Sequence, residues 1–244
     1  MDKLAVVYPP VDTPRPLAEN LWVVESGPID AMGLHLPVRM VVVRLPSGAL
    51  WLHSPTRFTD GLRQALEAIG PIRHLVAPNI AHWTFLKSWQ RALPDATVWA
   101  APKLRDRAQV RASGLRLDRD IAEAPPPEWE GAFDLAIVPG GFGFREVAIL
   151  HRPTRTALLT DLVQNLEPGK LPTGTRLFAR LTGAARGTTP LHLRLAIRLG
   201  GTAARDTARR IVGWAPERVL FAHGRPFLED GAGELGRALA WLLR

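Results

Sequence analysis

IRHLVAPNIAH, residues 72–82, is a β-rich run that stops at a proline and ends on a histidine. Ile72, Leu75 and Val76 favour a strand. Pro78 closes it, and His82 stands just before a helical stretch at 84–93 that Pro94-Asp95 breaks. A polar side chain behind a strand and before a helix lies where α/β sheets gather their ligand sites, at the carboxyl ends of strands. Two other positions have this form: Asp161 follows a strand at 156–160, and His223 follows one at 218–221. Two imidazoles and a carboxylate are a frequent catalytic zinc set, with one position left for water. The three are far apart in sequence, so spacing does not join them. Either histidine taken singly reads as a capping or hydrogen-bonding residue before a metal ligand, and an Asp between two His is a stable knot without any ion.

Outward from this stretch the chain alternates strands and helices. A strand at 21–24 precedes two β-rich runs, 38–45 and 49–53, around the turn Pro46-Ser47-Gly48. Leu62, Leu66 and Ile69 place a helix over 58–69, stopped by Gly70-Pro71. A strand at 97–100 follows, and Pro102 is placed to open the next helix. Residues 118–129, with three consecutive prolines, read as a connection around an edge. A strand at 135–138 leads into a hairpin of 144–150 with 156–160. A loop-rich insertion with short helices spans 166–190, then a helix at 203–214, the strand 218–221 and a closing helix at 233–243. Two hairpin-bearing halves between helices predict an α/β fold, an αββα sandwich, as one domain over residues 1–244.

Composition narrows the class. Apolar residues are 46% and charged residues 22%, a globular profile. With no cysteine, disulfides and thiolate ligands are excluded, which suits the cytoplasm. Residues 1–16 lack the apolar centre of a signal peptide, and no run approaches the ~18 apolar residues of a membrane span. The net charge of +8 is concentrated: residues 170–218 hold ten basic side chains against Asp206 and Glu217. That is a solvated face or a surface for an anionic partner.

The order strand, Pro-Asn-Ile-Ala-His, helix, Pro-Gly-Gly, hairpin, Leu-Thr-Asp, helices, strand, Ala-His-Gly resembles the metallo-β-lactamase superfamily. It is similar in particular to a branch with a degenerate His-x-His-x-Asp-His motif. The resemblance implies an αββα sandwich with metals at one edge and hydrolytic chemistry on esters, thioesters and related bonds. Aligned on the last His of the motif, only His82 survives; Ala77, Asn79 and Ala81 stand at the first His, the second His and the Asp. The Pro-Gly-His ligand is Gly141, the bridging Asp is Asp161, and the final His is His223. The losses fall together: Ala77, Asn79 and Gly141 remove one metal position, whereas His82, Asp161 and His223 keep three of four ligands of the other.

The resemblance therefore implies at most one divalent ion, zinc or iron, on His82, Asp161 and His223. A water there would have a lowered pKa. Ala81 removes the Asp that handles protons in the family. Asn79, His53, Trp83 and Arg145 are expected around the site: His53 at a strand end, Trp83 beside His82, Arg145 near Gly141 and available to an anionic substrate group. His35, His74, His151 and His192 have no partner pattern and read as structural or surface. The expected function is a mononuclear metal-dependent hydrolase of a small molecule. The alternative is a non-catalytic scaffold with the same fold. Nucleic acid is not an expected partner, because the superfamily's nucleases need the full motif.

Overall fold

The structure, a computed structural model, describes residues 6–31, 33–129 and 131–244. Its first sheet has seven strands in chain order: β1 (Arg15–Ala18), β2 (Leu21–Ala31), β3 (Leu34–Arg44), β4 (Leu50–His53), β5 (Ile72–Ala77), β6 (Thr97–Ala100) and β7 (Arg119–Asp120). β1 to β4 pair antiparallel and β4 to β7 parallel. The parallel half needs crossovers on one face, supplied by α1 (Asp60–Glu67), α2 (Leu86–Ala92) and α3 (Ala108–Ser113). The second sheet is β8 (Phe133–Pro139), β9 (Arg145–His151), β10 (Thr156–Leu158) and β11 (Arg218–Leu220), in the spatial order β11-β10-β9-β8. Beyond the sheets lie α4 (Thr173–Thr182), α5 (Leu191–Arg198), α6 (Gly201–Gly213) and α7 (Gly231–Leu243).

Period-two alternation builds the layers. In β3, Val41 and Val43 face the second sheet, while Met40 and Val42 face α1 and α2. Trp51 turns inward between Leu50 and Leu52, and meets Trp129 and Phe133 at ring distances of 5.5 and 4.6 Å. The second sheet packs Val147, Ile149 and Leu158 into the same central core, and its other face, with Ala148 and Ala157, packs on α6 and α7 through Ile211, Leu235 and Leu239. The result is the expected order helix, sheet, sheet, helix.

The structure corrects three local expectations. Pro102 opens no helix: Lys103 takes a left-handed backbone, a 3₁₀ turn follows at Leu104–Asp106, and α3 begins only at Ala108. Helix α2 begins at Leu86, so Trp83 lies in the preceding turn. The insertion is also longer than 166–190, because α5 follows Pro190 directly. Together α4 and α5 cap the sandwich. Ala179, Leu166 and Leu171 pack on Leu36, and the backbone N–H of His35 donates to Thr175 Oγ1 at 3.1 Å. Among the described residues no helix is long and apolar enough to cross a membrane.

Two core histidines give the fold a pH limit. His74 accepts the Trp99 indole N–H on Nδ1 at 3.1 Å, and His151 is buried beside Phe133. Burial pushes each down to about 4. Their neutral forms are kept in the folded state, while the unfolded chain takes up protons near pH 6.5. The stability they contribute is therefore intact above pH ~6.5 and is lost as pH falls toward 4. These two histidines should contribute a drop in unfolding free energy of about 2 kcal/mol per unit between pH 6 and 5. Urea titrations across that range test this; a flat profile, or one that His151→Phe leaves unchanged, contradicts it.

Candidate metal centre

Three loops at one end of the sandwich bring His82, Asp161 and His223 together. Their donor atoms lie within 4.8 Å of one another. His82 Nε2 is 3.3 Å from Asp161 Oδ2, and His223 Nε2 is 3.4 Å from Asp161 Oδ1. The imidazole rings are 5.2 Å apart. They form the floor of a cavity of about 960 Å³, whose walls are mostly apolar and include Ile29, Leu34, Phe85, Phe178 and Leu193.

Each ligand is held from behind. His223 Nδ1 is 2.7 Å from the Pro37 carbonyl, which only accepts, so Nδ1 carries the hydrogen and Nε2 faces Asp161. The His223 loop is clamped by Arg39, buried in β3. Its guanidinium donates to the Phe221 and Gly224 carbonyls at 2.7 and 2.9 Å and pairs with Glu25 at 2.7 Å. Gly224 is required there: a Cβ would stand 2.1 Å from the Asn165 carbonyl oxygen, at φ +94°. Behind His82, Nδ1 meets Ser54 Oγ at 2.7 Å. Ser54 has a left-handed backbone, φ 55°, of the strained kind that gathers at functional sites.

Asp161 is held by side chains and by its own backbone. Asn79 Nδ2 donates to Oδ2 at 2.7 Å and Gln164 Nε2 to Oδ1 at 3.1 Å. Asn79 Oδ1 accepts from the backbone N–H of Ala81 and His82, each at 2.8 Å, so one amide ties the His82 loop to the carboxylate. Beneath, fully buried Glu146 accepts the N–H groups of Thr160, Asp161 and Leu162 at 2.8, 2.9 and 3.0 Å. Burial, with the nearby Asp161 charge, pushes Glu146 up; the three backbone donors oppose this. Burial also works against ionised Asp161, but His82 and His223 hold it well below the usual carboxylate range. For His82 burial is outweighed by Asp161, and its pKa is raised.

A family model described as a domain of unknown function, DUF4336, matches residues 19–222. The chain belongs to that family. Comparison with curated proteins gives no match. Among solved structures, this DUF4336 chain is similar to a metallo-β-lactamase from Pontibacter korlensis at 12% identity and TM-score 0.58, over 94% of this chain and 97% of that one. A metallo-β-lactamase from Hirschia baltica matches at 13% and 0.62, over 95% and 97%. The DIM-1 metallo-β-lactamase, in a structure exposed to ceftazidime, matches at 11% and 0.63, over 93% and 96%. The fold is that of the metallo-β-lactamases.

Packing leaves little room for longer side chains at the positions where the resemblance implies a further set of ligands. Ala77 is fully buried in the core on the α1–α2 side. Asn79 has both ends of its amide engaged. At Gly141 a Cβ would stand 2.5 Å from Leu199 Cδ1, and its N–H donates to the Ala196 carbonyl at 2.7 Å. The end of α5 thus occupies the space a histidine would need.

Of the expected neighbours, Arg145 and Trp83 make their contacts elsewhere, while His53 stays close enough to His82 to feel its charge. Arg145 donates to the carbonyls of Gly140 and Phe144 at 2.8 and 2.6 Å; its chain neighbour Glu146 reaches the site instead. His53 stacks on Trp51 at 5.6 Å, and burial pushes it down to about 3; Ser54 is what touches His82. Trp83 packs toward the α1–α2 core, and Phe85 takes the cavity wall. His192, read from sequence as structural or surface, lines the cavity with its ring 5.5 Å from Phe178. A signal existed for one residue missed: Arg39 is a lone charge inside the apolar strand run VRMVVV, and buried charges require partners; Glu146, beside Arg145 at the start of EVAIL, gave a weaker one.

Proposed function

We propose that this chain is a mononuclear metal-dependent hydrolase, one domain over residues 1–244, acting in the cytoplasm on a small ester, thioester or similar substrate. The observation that carries this is His223. Its Nδ1 is held by the Pro37 carbonyl at 2.7 Å, which turns Nε2 to a carboxylate oxygen of Asp161 3.4 Å away. With His82 and Asp161 it makes a set of two imidazoles and a carboxylate whose donor atoms lie within 4.8 Å of one another, a set that suits a divalent ion. A zinc or iron ion held by His82, Asp161 and His223 supplies Lewis acidity and makes a nearby water more acidic.

The chain's own residues do the rest. Asn79 and Gln164 fix the Asp161 carboxylate, and Ser54 fixes the plane of His82. The apolar walls hold the substrate's carbon skeleton and exclude water around the reacting bond. Ala81 leaves the usual proton carrier's place vacant, and His192, which also lines the cavity, serves instead. Burial lowers its pKa, so its imidazole is neutral and able to accept a proton near pH 7. His192→Ala should lower kcat about 100-fold with metal content unchanged; loss of metal, or unaltered kcat, contradicts this role. No feature of the cavity favours a nucleic acid.

The test is elemental analysis of protein purified without chelators. About one ion per chain is expected. No metal, together with no rise in Tm on adding zinc or iron, sinks the reading. One observation favours the second reading, a metal-free binding scaffold: raised His82 and depressed Asp161 describe an imidazolium–carboxylate pair complete without an ion. The same measurement separates the two.

A further inference from the structure

Among the described residues seven large apolar side chains are strongly exposed, and six cluster around the cap. Leu177 and Leu181 are one turn apart on α4. Leu191, Leu195 and Leu199 form one stripe along α5 and just beyond it, and Phe142 tips the turn that packs against Leu199. All six are between 55% and 82% exposed. The aromatic contact of Phe178 with His192 joins the two helices, and those two residues line the apolar cavity. The cap thus turns Phe178, His192 and Leu193 toward the cavity and its leucines toward solvent.

Charge says what covers this face. Residues 168–205 hold seven Lys and Arg and not one Asp or Glu. Arg180, Arg186, Arg198 and Arg205 are exposed alongside the leucines. A second copy of the same face would bring like charges together as the leucines buried. A nucleic acid would match the arginines but leave the leucines without partners, since strand-binding surfaces use aromatic platforms. Leucines at helical spacing set among arginines match a lipid surface, whose acyl region takes the former and whose anionic headgroups take the latter.

We propose that α4 and α5 dock this protein peripherally on an anionic bilayer, with Phe142 and the leucines entering the headgroup–acyl boundary. Docking sets the outer wall of the apolar cavity against the membrane, so an amphiphilic molecule dissolved in the lipid reaches it without crossing water. This goes beyond the metal-dependent reading and is testable without it.

The experiment is sedimentation of the full chain with vesicles of phosphatidylcholine alone or with phosphatidylglycerol, at low and at raised salt. Binding to the mixed vesicles only, weakened by salt, is expected. Leu191→Ser combined with Leu195→Ser should weaken it about ten-fold or more. Arg180→Gln and Arg198→Gln should each weaken it about five-fold. These positions are exposed, so the variants should keep the wild-type Tm. His223→Ala should bind vesicles as wild type does, so failure of the metal site and failure of docking are separable. No binding to either vesicle overturns the proposal, as does equal binding to neutral vesicles. A concentration-dependent dimer that the leucine variant abolishes, without vesicle binding, also overturns it by making a second copy the occupant.

Discussion

Asp161→Ala is expected to leave the purified chain with less than about a tenth of its metal, and to lower turnover of any hydrolysed substrate about a thousand-fold or more. Asp161 is the one residue that meets both histidines, at 3.3 and 3.4 Å. Without it the donors are two imidazoles, too few to hold a divalent ion against water. The substitution also strands the amides of Asn79 and Gln164, which now donate to the carboxylate. Asp161→Asn separates charge from shape, because it keeps the volume and removes the anion. It should lose metal nearly as completely while costing less stability. Metal content by mass spectrometry and single-substrate kinetics are the readouts. An Asp161→Ala protein that keeps its ion and its turnover would remove the carboxylate from the centre altogether.

Glu146→Ala should be the most damaging substitution for stability, at about 4 kcal/mol. It removes the acceptor for three backbone N–H groups, and each buried donor left unsatisfied costs ~1–3 kcal/mol. These donors belong to Thr160, Asp161 and Leu162, so the segment that carries the metal-binding carboxylate loses its support. Glu146→Gln should cost about half as much, because one oxygen still accepts while the amide nitrogen faces donors. Both variants should release metal more readily than wild type, although Glu146 touches no donor atom. Urea unfolding measures the first effect and chelator competition the second. A loss of under 1 kcal/mol would mean water enters and satisfies the three N–H groups.

The layered fold was legible because its causes are local and periodic. Val41 and Val43 alternate with Met40 and Val42, which marks a strand with apolar neighbours on both faces before any partner is known. Leu62 and Leu66 mark one face of a helix in the same way. The cap was only partly legible. Leu191, Leu195 and Leu199 carry a helical period, but they stay exposed, so the period marked no buried face.

The centre divides along the same line. His82, Asp161 and His223 could be named from sequence because each follows a strand closely, and strand ends are set by neighbouring residues. Which side chains stand behind them was decided only by the tertiary structure. Adjacent residues of a strand point to opposite faces, so sheet pairing chooses Glu146 over Arg145. The left-handed turn at the end of β4 chooses Ser54 over His53. Arg39 meets the His223 loop across 182 to 185 residues of chain. His192 reaches the cavity beside Phe178, where α4 and α5 meet. The residues that could hold an ion are thus a property of this sequence, and the shell that aims them is a property of its packing.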